Sequence, residues 1–543
     1  MTEYVAEQEN VTSAYSTFQE QILTTLPVNT VRQPCYLDSD ELLAPPIIST
    51  FRGLPQGMPA PLFGSHRELG LRDDICYDRI NRFAPYGLGR RTTEGGLGIG
   101  LEGDTEGVSA TEIVDWTKVN LTDAQDRCQK KNSHHQRRTA FVIRTWHTYE
   151  YTAYHVMMLR AIISELSLAS GGEFTVHFLI HVQDDNLPIW ASEEVYNSVL
   201  SESLPPEFQG MGTLWSVAQM RLIYPPPFPD SIVNFSGGDI YGAYRSMHFP
   251  MQYFASKHPE FDYFWQWEMD MRVTGHYLEL LEGITQWAES QKVDDYLWER
   301  SSKYFISSLF NGSYSEFAAA VREETSSPIA RPQLKGENLP NPLQTDISDH
   351  VITDFISLNP MFDPEHTRWA FSNDITGFGD TRPPTRAALI TTSRMSRRLL
   401  LLMHEETYRN KRTMFPEMFP ASLALQYGLK AVSVPHPVYF DRDWAAKHAD
   451  VIFNNAKLDD VSKAIGMGRG GDYYHDEGGS VFGPGEHVFK GSTYYSNAGF
   501  AGELWRRWLG IEDEQRDHAL EIGEGGGRMC LPMMLLHPIK ERG

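Results

Sequence analysis

The chain is short of cysteine. Only four cysteines occur among its 543 residues, and no two of them stand in a C-x-x-C spacing. Zinc sites and disulfide-rich scaffolds usually place their cysteines at short, regular intervals. The spacing here therefore indicates neither a zinc site nor a disulfide framework. The four positions are Cys35, Cys76, Cys128 and Cys530.

Long hydrophobic runs are also missing. The longest aliphatic stretch covers residues 399–403, far below the roughly 20 residues that cross a bilayer. Residues 1–21 are polar and acidic, unlike a signal peptide or an anchor. We therefore expect no membrane segment and a cytoplasmic location. Four N-x-S/T sequons are then interpreted as chance occurrences, at Asn10, Asn120, Asn234 and Asn311.

Positive charge is scarce. The chain has 48 lysines and arginines against 71 aspartates and glutamates, which gives a net charge of −23. Proteins that bind nucleic acid need a basic surface that neutralises phosphates. This balance argues against a nucleic-acid partner. Oligomeric state cannot be predicted from it.

What the chain does contain is an alternation of strand and helix patterns. Residues 1–135 are rich in proline, glycine and charge, and predict an irregular N-terminal arm. Residues 136–510 alternate short apolar runs with helical spacings, which predicts an α/β domain with a mainly parallel, Rossmann-like sheet flanked by helices. A polar, proline-rich loop insertion is expected near 323–348, and a C-terminal tail over 511–543.

Individual elements can be placed within the α/β domain from their periodicity. We expect strands at 139–144, 174–182, 213–217 and 262–268, with helices at 150–170, 240–257, 276–290 and 393–408. A further helix should end at Gly428, before another strand.

The segment WQWEMDMR, residues 265–272, carries the first indication of function. Glu268 and Asp270 are two residues apart at the end of a predicted core strand, so both carboxylates can point to one face. Two hard oxygen donors suit Mn²⁺ or Mg²⁺, and ligands bind beyond the carboxyl ends of parallel strands. The alternative is a pair of surface charges with Arg272 as a salt-bridge partner.

The order of motifs resembles the catalytic core of glycosyltransferases with the GT-A fold, which carry an acidic-x-acidic motif at a strand end. Residues 243–270, AYRSMHFPMQYFASKHPEFDYFWQWEMD, are similar to their segment of basic residue, helix, strand and acidic motif. HFLIHVQDD, residues 177–185, is similar to their second strand. The chain also resembles a fungal family of uncharacterised proteins with W-E-x-D and M-F-P-E-M motifs.

The resemblance implies roles for residues in and near the acidic motif. Asp270, with Glu268, would bind Mn²⁺ or Mg²⁺ and the diphosphate of a UDP-sugar donor. Glu417 falls on the position of the catalytic base. The family usually has an acidic pair there, whereas Met418 follows here, so the assignment stays open.

Further residues are candidates for donor binding. Arg144, Thr145 and Trp146 follow the first strand, where the nucleotide pocket would begin; the alternative is a packed strand end. Asp184 and Asp185 could accept hydrogen bonds from uracil or ribose, or simply form a turn. Arg245 could face the diphosphate, or be a solvated arginine.

A histidine metal ligand is expected near the C-terminal end of such a core. His487, in GEHVFKG, resembles that segment, and Lys490 could contact phosphate. His436 is the competing candidate. His404 and the glycine-rich residues 466–485 are interpreted as a core histidine and a flexible lid.

Together these features predict a metal-dependent hexosyltransferase. The donor would be a UDP-hexose such as UDP-glucose, and the acceptor a phenolic or polyketide-like small molecule. Two alternatives remain: a metal-dependent phosphoesterase or nucleotide-sugar hydrolase, and a non-catalytic protein that binds nucleotide or sugar.

Overall fold

A seven-stranded sheet lies at the centre of the described chain. The computed structural model describes residues 35–101, 114–132, 137–229, 239–329, 352–456, 490–511 and 529–540. The sheet strands are β3 Thr139–Trp146, β4 Phe174–Val182, β5 Gly212–Ser216, β6 Tyr263–Glu268, β8 Phe355–Ser357, β10 Ser393–Ser396 and β12 Ala431–Ser433. The strand order is β12-β8-β10-β6-β3-β4-β5, and all neighbours are parallel except those of β10.

Three two-stranded ladders accompany this sheet in the described residues. One of them matters for the candidate site, because it brings a C-terminal segment against the end of β6. The pairs are β1 Phe51–Arg52 with β2 Ile75–Cys76, β7 Arg272–Val273 with β13 Leu535–Leu536, and β9 Ile375–Thr376 with β11 Thr413–Met414.

Helices flank the sheet, as predicted for an α/β fold. They are α1 Arg79–Phe83, α2 Leu121–Lys131, α3 Ala153–Ile162, α4 Glu193–Ser203, α5 Val217–Ile223, α6 His248–Lys257, α7 Tyr277–Ser290, α8 Leu297–Ser301, α9 Tyr314–Glu324, α10 Arg397–Tyr408, α11 Phe419–Gln426, α12 Ala446–Asn454 and α13 Gly499–Leu509. No helix in the described part of the chain is long and apolar enough to cross a membrane.

Most predicted elements of the core are confirmed. Strands β3, β4 and β6 are near-continuous apolar runs, and their side chains are buried on both faces of the sheet. Helix α3 starts where the Thr152 side chain accepts the N–H of His155, and continues as a π-helical turn, Ile163–Leu168. The glycine-rich residues 466–485 lie outside the described residues.

Two helix predictions were wrong at their N-terminal ends. The segment at 393–408 begins as strand β10, and α10 starts only after Ser396, whose side chain accepts the N–H of Leu399. The helix predicted from residue 240 starts at His248. Pairing with β6 and β8 decides the conformation of residues 393–396, and sequence periodicity does not report such pairing.

The cysteines correct another expectation. Cys35 is bonded to Cys128 and Cys76 to Cys530, across sequence separations of 93 and 454 residues. These partners are far apart along the chain, so no short spacing reveals them. The interpretation that no disulfide framework exists was therefore wrong.

A buried ion pair joins the N-terminal residues to the sheet domain. Arg82 on α1 and Glu165 in the π-helical turn are both essentially inaccessible to solvent, with Nη1 and Oε1 2.5 Å apart. Glu165 also accepts hydrogen bonds from the Tyr86 hydroxyl and from the N–H of Tyr277. These donors satisfy a carboxylate that would otherwise be costly to bury.

Candidate functional site

The acidic motif lies at the carboxyl end of β6, a central strand. Glu268 is its last residue and Asp270 follows in a turn, so the two carboxylates lie at one edge of the sheet. Both side chains are about one fifth exposed. Trp265 and Trp267, which alternate with them, are fully buried. Alternation along the strand thus separates core residues from the carboxylates, as predicted.

A histidine outside the predicted set of site residues, His537, completes the cluster. His537 follows β13, and β13 pairs with β7 immediately after the acidic motif. Its Nε2 lies 3.4 Å from Oε2 of Glu268 and 3.5 Å from Oδ1 of Asp270. These three residues each offer one potential ligand atom, and the three atoms all lie within 4.8 Å of one another. We call Glu268, Asp270 and His537 the acidic–histidine cluster.

A hydrogen bond on the side of the ring away from the carboxylates fixes the orientation of His537. Its Nδ1 is 2.9 Å from the carbonyl oxygen of Tyr495, and a carbonyl can only accept, so Nδ1 carries a proton. Nε2 is therefore the atom that faces the carboxylates. Metal-binding histidines commonly donate their second ring N–H to a backbone carbonyl in this way.

Positive groups surround the two carboxylates. Burial alone would raise the pKa of Glu268, but Arg144 and His537 hold it at about 2. Burial would likewise raise the pKa of Asp270, and His537 with Lys540 holds it well below its usual range. Burial opposes a charged His537, yet hydrogen bonds to both carboxylates raise its pKa to about 10. Both acids are therefore ionised at neutral pH.

Arg144 and Thr391 position Glu268. Arg144 is the neighbour of Glu268 in the parallel ladder of β3 and β6, and its Nη2 lies 2.8 Å from Oε1 of that carboxylate. The Thr391 hydroxyl donates to the same oxygen at 2.5 Å and accepts from Arg144 at 2.9 Å. Thr391 reaches this edge because β10 runs antiparallel and pairs Ser393 with Gln266.

Glu417 contacts residues 388–390, the short segment that leads into Thr391 at the same edge of the sheet. Its Oε1 accepts the backbone N–H of Ile390 at 2.7 Å, and its carbonyl accepts the N–H of Ala388. Ile390 has a φ of +69°, which is rare for a β-branched residue. A small cavity lies between Glu417 and Thr391, lined also by His248, Gln266 and Pro420. The predicted base thus borders a space that extends to the neighbours of Glu268.

The other candidates near β3 and β4 lie apart from this network. Thr145 is buried and its hydroxyl is 3.1 Å from the Tyr151 hydroxyl, while Trp146 is 40% exposed and packs edge-on against Tyr149. Asp184 accepts the backbone and side-chain N–H groups of Asn186, as the turn alternative requires. Asp185 is exposed and accepts the N–H of Ala218 at the start of α5.

Arg245 contacts residues other than those of the acidic–histidine cluster. Arg245 is buried, its Nε donates to Asp374 at 2.8 Å, and its Nη1 donates to the carbonyl of Met414. It is thus neither a solvated arginine nor a member of the acidic–histidine cluster. Lys490 is exposed, and its carbonyl accepts the N–H of Phe500.

Of the two histidines proposed as ligands, His436 lies in the described part of the chain, and it is not a member of the cluster. His487 lies outside the described residues. His436 is buried, its Nε2 donates to the carbonyl of Leu358, and burial lowers its pKa to about 4. The ring of Tyr494 packs against both His436, at 4.7 Å, and His537, at 5.9 Å.

Sequence reasoning missed His537, Lys540 and Thr391. The first two lie in LPMMLLHPIK, residues 531–540, which fell in the predicted C-terminal tail. An apolar run ending in His-Pro could have indicated a strand that presents a histidine. Thr391 carried no signal, because its role depends on the direction of β10.

One family matches the chain. Residues 76–136 and 131–541 match the family described as "Protein of unknown function (DUF3405)". The chain belongs to this family. No curated protein and no solved structure matches the chain. Membership thus covers both the acidic motif and His537, and assigns neither of them a role.

The donor set fits a divalent cation. The two ionised carboxylates supply the hard oxygen ligands that suit Mn²⁺ and Mg²⁺, and His537 adds one imidazole nitrogen that is oriented by its other ring N–H. Without an ion, the positive charges of His537, Lys540 and Arg144 balance the carboxylates. The same residues can thus bind a metal or form an ion-pair network.

Proposed function

We propose that this protein is a metal-dependent glycosyltransferase of the GT-A type, which moves a hexose from a nucleotide sugar to an acceptor. One observation carries the proposal: the acidic–histidine cluster at the carboxyl end of a central parallel strand. This is the edge at which α/β sheets bind ligands. The mostly parallel sheet supports the fold assignment.

The cluster residues would hold the cofactor. Glu268, Asp270 and His537 would bind Mn²⁺ or Mg²⁺, with Thr391 and Arg144 fixing the carboxylate of Glu268. When bound, the divalent ion supplies positive charge to the diphosphate of the departing nucleotide. Lys540 is mostly exposed and can turn from Asp270 toward a phosphate.

Glu417 is proposed as the base. It would take the proton of the acceptor hydroxyl, while the acceptor oxygen attacks the anomeric carbon and the nucleotide diphosphate leaves with the bonding electrons. The N–H of Ile390 orients one carboxylate oxygen. Attack from the face opposite the leaving nucleotide would give inversion at the anomeric carbon.

For the donor and the acceptor we propose chemical classes of compound. A UDP-hexose such as UDP-glucose is the proposed donor, with Trp146, Asp184 and Asp185 beside the strand ends as its candidate contacts. The proposed acceptor is a phenolic or polyketide-like small molecule, which an aromatic-rich chain could bind in an apolar cleft. The two disulfides weigh against the cytoplasmic location expected from the sequence, because cytosolic proteins rarely keep disulfides. We therefore do not include that location in the proposal.

Calorimetric titration with UDP, with and without Mn²⁺, tests the proposal. We expect UDP binding that requires the metal, and its loss in Asp270→Asn with a melting temperature close to that of the wild type. Asp126→Asn, on the exposed face of α2, is the matched control and should bind normally.

Three results would count against the transferase. Metal-independent binding, or none, would indicate that the cluster is an ion-pair network. Release of free sugar without an acceptor would favour the hydrolase. Metal-dependent binding without turnover of any nucleotide sugar would favour a non-catalytic binding protein.

A further inference from the structure

We propose that Asn120 and Asn311 are N-glycosylated, and that the chain therefore folds in an oxidising compartment of the secretory pathway. The transferring enzyme would be a host oligosaccharyltransferase, and the donor a lipid-linked oligosaccharide diphosphate. The two disulfides and the surroundings of the two asparagines support this assignment, independently of the acidic–histidine cluster.

The disulfides indicate the compartment. Every cysteine of the chain lies in one of the two bonds, and none is free. Cys76, Cys128 and Cys530 are almost completely buried, and Cys35 is 6% exposed. Cytosolic thiols are kept reduced, whereas secreted proteins form and keep disulfides. A chain that pairs all its cysteines in the core is suited to an oxidising environment.

Asn120 is exposed and has a side chain that can carry a glycan without losing its structural role. Its Oδ1 accepts the N–H of Asp123 and caps helix α2, while the glycan would be attached to Nδ2. The sequon is completed by Thr122, whose hydroxyl donates to the carbonyl of Gln209 in the folded protein. If the glycan is transferred to the unfolded chain, the transfer takes place before Thr122 makes this hydrogen bond.

Asn311 lies at an exposed turn before α9 and has a φ of +50°. Apart from Gly312 itself and its two chain neighbours, no residue has an atom within 4 Å of the position that a Cβ of Gly312 would occupy, so the turn is open to solvent. The Nδ2 of Asn311 donates to Glu316, and a glycosylated amide keeps one N–H for this bond. Ser313 completes the sequon and caps α9.

In the glycan transfer, each bond that forms is matched by a bond that breaks. The amide Nδ2 attacks the anomeric carbon of the oligosaccharide donor and loses one proton. A C–N bond forms, the C–O bond to the lipid diphosphate breaks, and the diphosphate leaves with the electron pair. No oxidant or reductant is needed. The remaining sequons, at Asn10 and Asn234, lie outside the described residues.

Peptide mapping of the full chain, isolated from the cells that naturally make it, tests the proposal. Treatment with peptide N-glycosidase converts a glycosylated asparagine to aspartate, which mass spectrometry detects. We expect this conversion at positions 120 and 311, and no thiol that reacts with an alkylating agent before reduction. Unmodified asparagine at both positions, with or without free thiols, would overturn the proposal.

Variants give a second measurement. Asn120→Gln and Asn311→Gln should each remove one glycan step on a gel, while Asn373→Gln, at an exposed asparagine outside any sequon, should remove none. Thr122→Ser keeps the sequon and should keep the glycan at Asn120. An unchanged gel pattern in both sequon variants would contradict the assignment.

Discussion

Thr391 shows how much of the candidate site depends on single hydroxyl groups. The Thr391 hydroxyl donates to Glu268 and accepts from Arg144. It thus fixes the Glu268 carboxylate beside the Arg144 guanidinium, which could otherwise bind both carboxylate oxygens. Groups that orient metal ligands typically change affinity by about 10–100-fold when removed. Thr391→Val should therefore weaken Mn²⁺ binding in calorimetry by that factor.

The matched control is Thr325→Val. Its hydroxyl donates to the carbonyl of Val321 on α9, away from the cluster, at a similar distance of 2.7 Å. We expect unchanged Mn²⁺ affinity in this variant. Equal losses in both variants would show that the effect at Thr391 is general destabilisation.

Glu417 combines a chemical and a structural role, and two substitutions separate them. Glutamine keeps an oxygen that can accept the N–H of Ile390 but cannot take a proton from an acceptor hydroxyl. Glu417→Gln should abolish transfer and spare metal-dependent UDP binding. Glu417→Ala should in addition lower the melting temperature, because Ile390 is held at a positive φ that costs about 1–3 kcal/mol. A near-normal rate in Glu417→Gln would refute the base assignment.

Helix α7 carries a buried acid whose ionisation opposes folding. Glu279 is 4% exposed. Burial raises its pKa from the usual 4.5 to about 7; Arg72 opposes this shift and the charge of Glu165 adds to it. Because the unfolded state ionises first, the free energy of unfolding falls as pH rises from 4.5 to 7. It then stays reduced, by about 3 kcal/mol.

Glu279→Gln removes this penalty. The variant should be more stable than the wild type at pH 8 and about equal to it at pH 4 in urea denaturation. The comparison at pH 4 is the internal control, since both forms are then neutral at this position. A stability difference that does not vary with pH would contradict the assignment.

The elements that sequence reasoning located are those whose own residues determine them. Strands β3, β4 and β6 are continuous apolar runs, and α3 begins at a Thr152 N-cap. Strand β10 was missed because SRMS precedes a strong helical pattern. Its conformation comes from pairing with two neighbours, and its antiparallel direction places Thr391 beside Glu268.

At the scale of the whole molecule, the candidate site joins parts of the chain that are far apart in sequence. The two carboxylates could be predicted from WQWEMDMR, because both lie on one strand end. The position of His537 beside them could not, because the ladder of β7 and β13 brings it there. The disulfides escaped prediction for the same reason, since Cys76 and Cys530 are 454 residues apart.

The disulfide of Cys76 and Cys530 should therefore affect the site as well as stability. Cys530 and His537 share the described segment 529–540, so loss of this bond should loosen the segment that carries the proposed ligand His537. The double variant Cys76→Ser, Cys530→Ser should have a lower melting temperature and weaker Mn²⁺ binding. Removing a native disulfide typically costs about 2–5 kcal/mol.

Cys35→Ser with Cys128→Ser provides the comparison. It removes the other disulfide, which joins α2 to the segment before β1 and does not involve segment 529–540. We expect a lower melting temperature and unchanged Mn²⁺ affinity. If both double variants lost affinity equally, the link between Cys530 and His537 would be refuted.

The bond between Cys76 and Cys530 also closes most of the chain into a covalent ring. A protease that cuts one peptide bond anywhere between these two cysteines opens the ring but releases no fragment. The cut molecule would keep its mass on a non-reducing gel and separate into two pieces only after reduction. Segment 529–540, with His537, would stay tethered beside the carboxylates of Glu268 and Asp270 after such a cut.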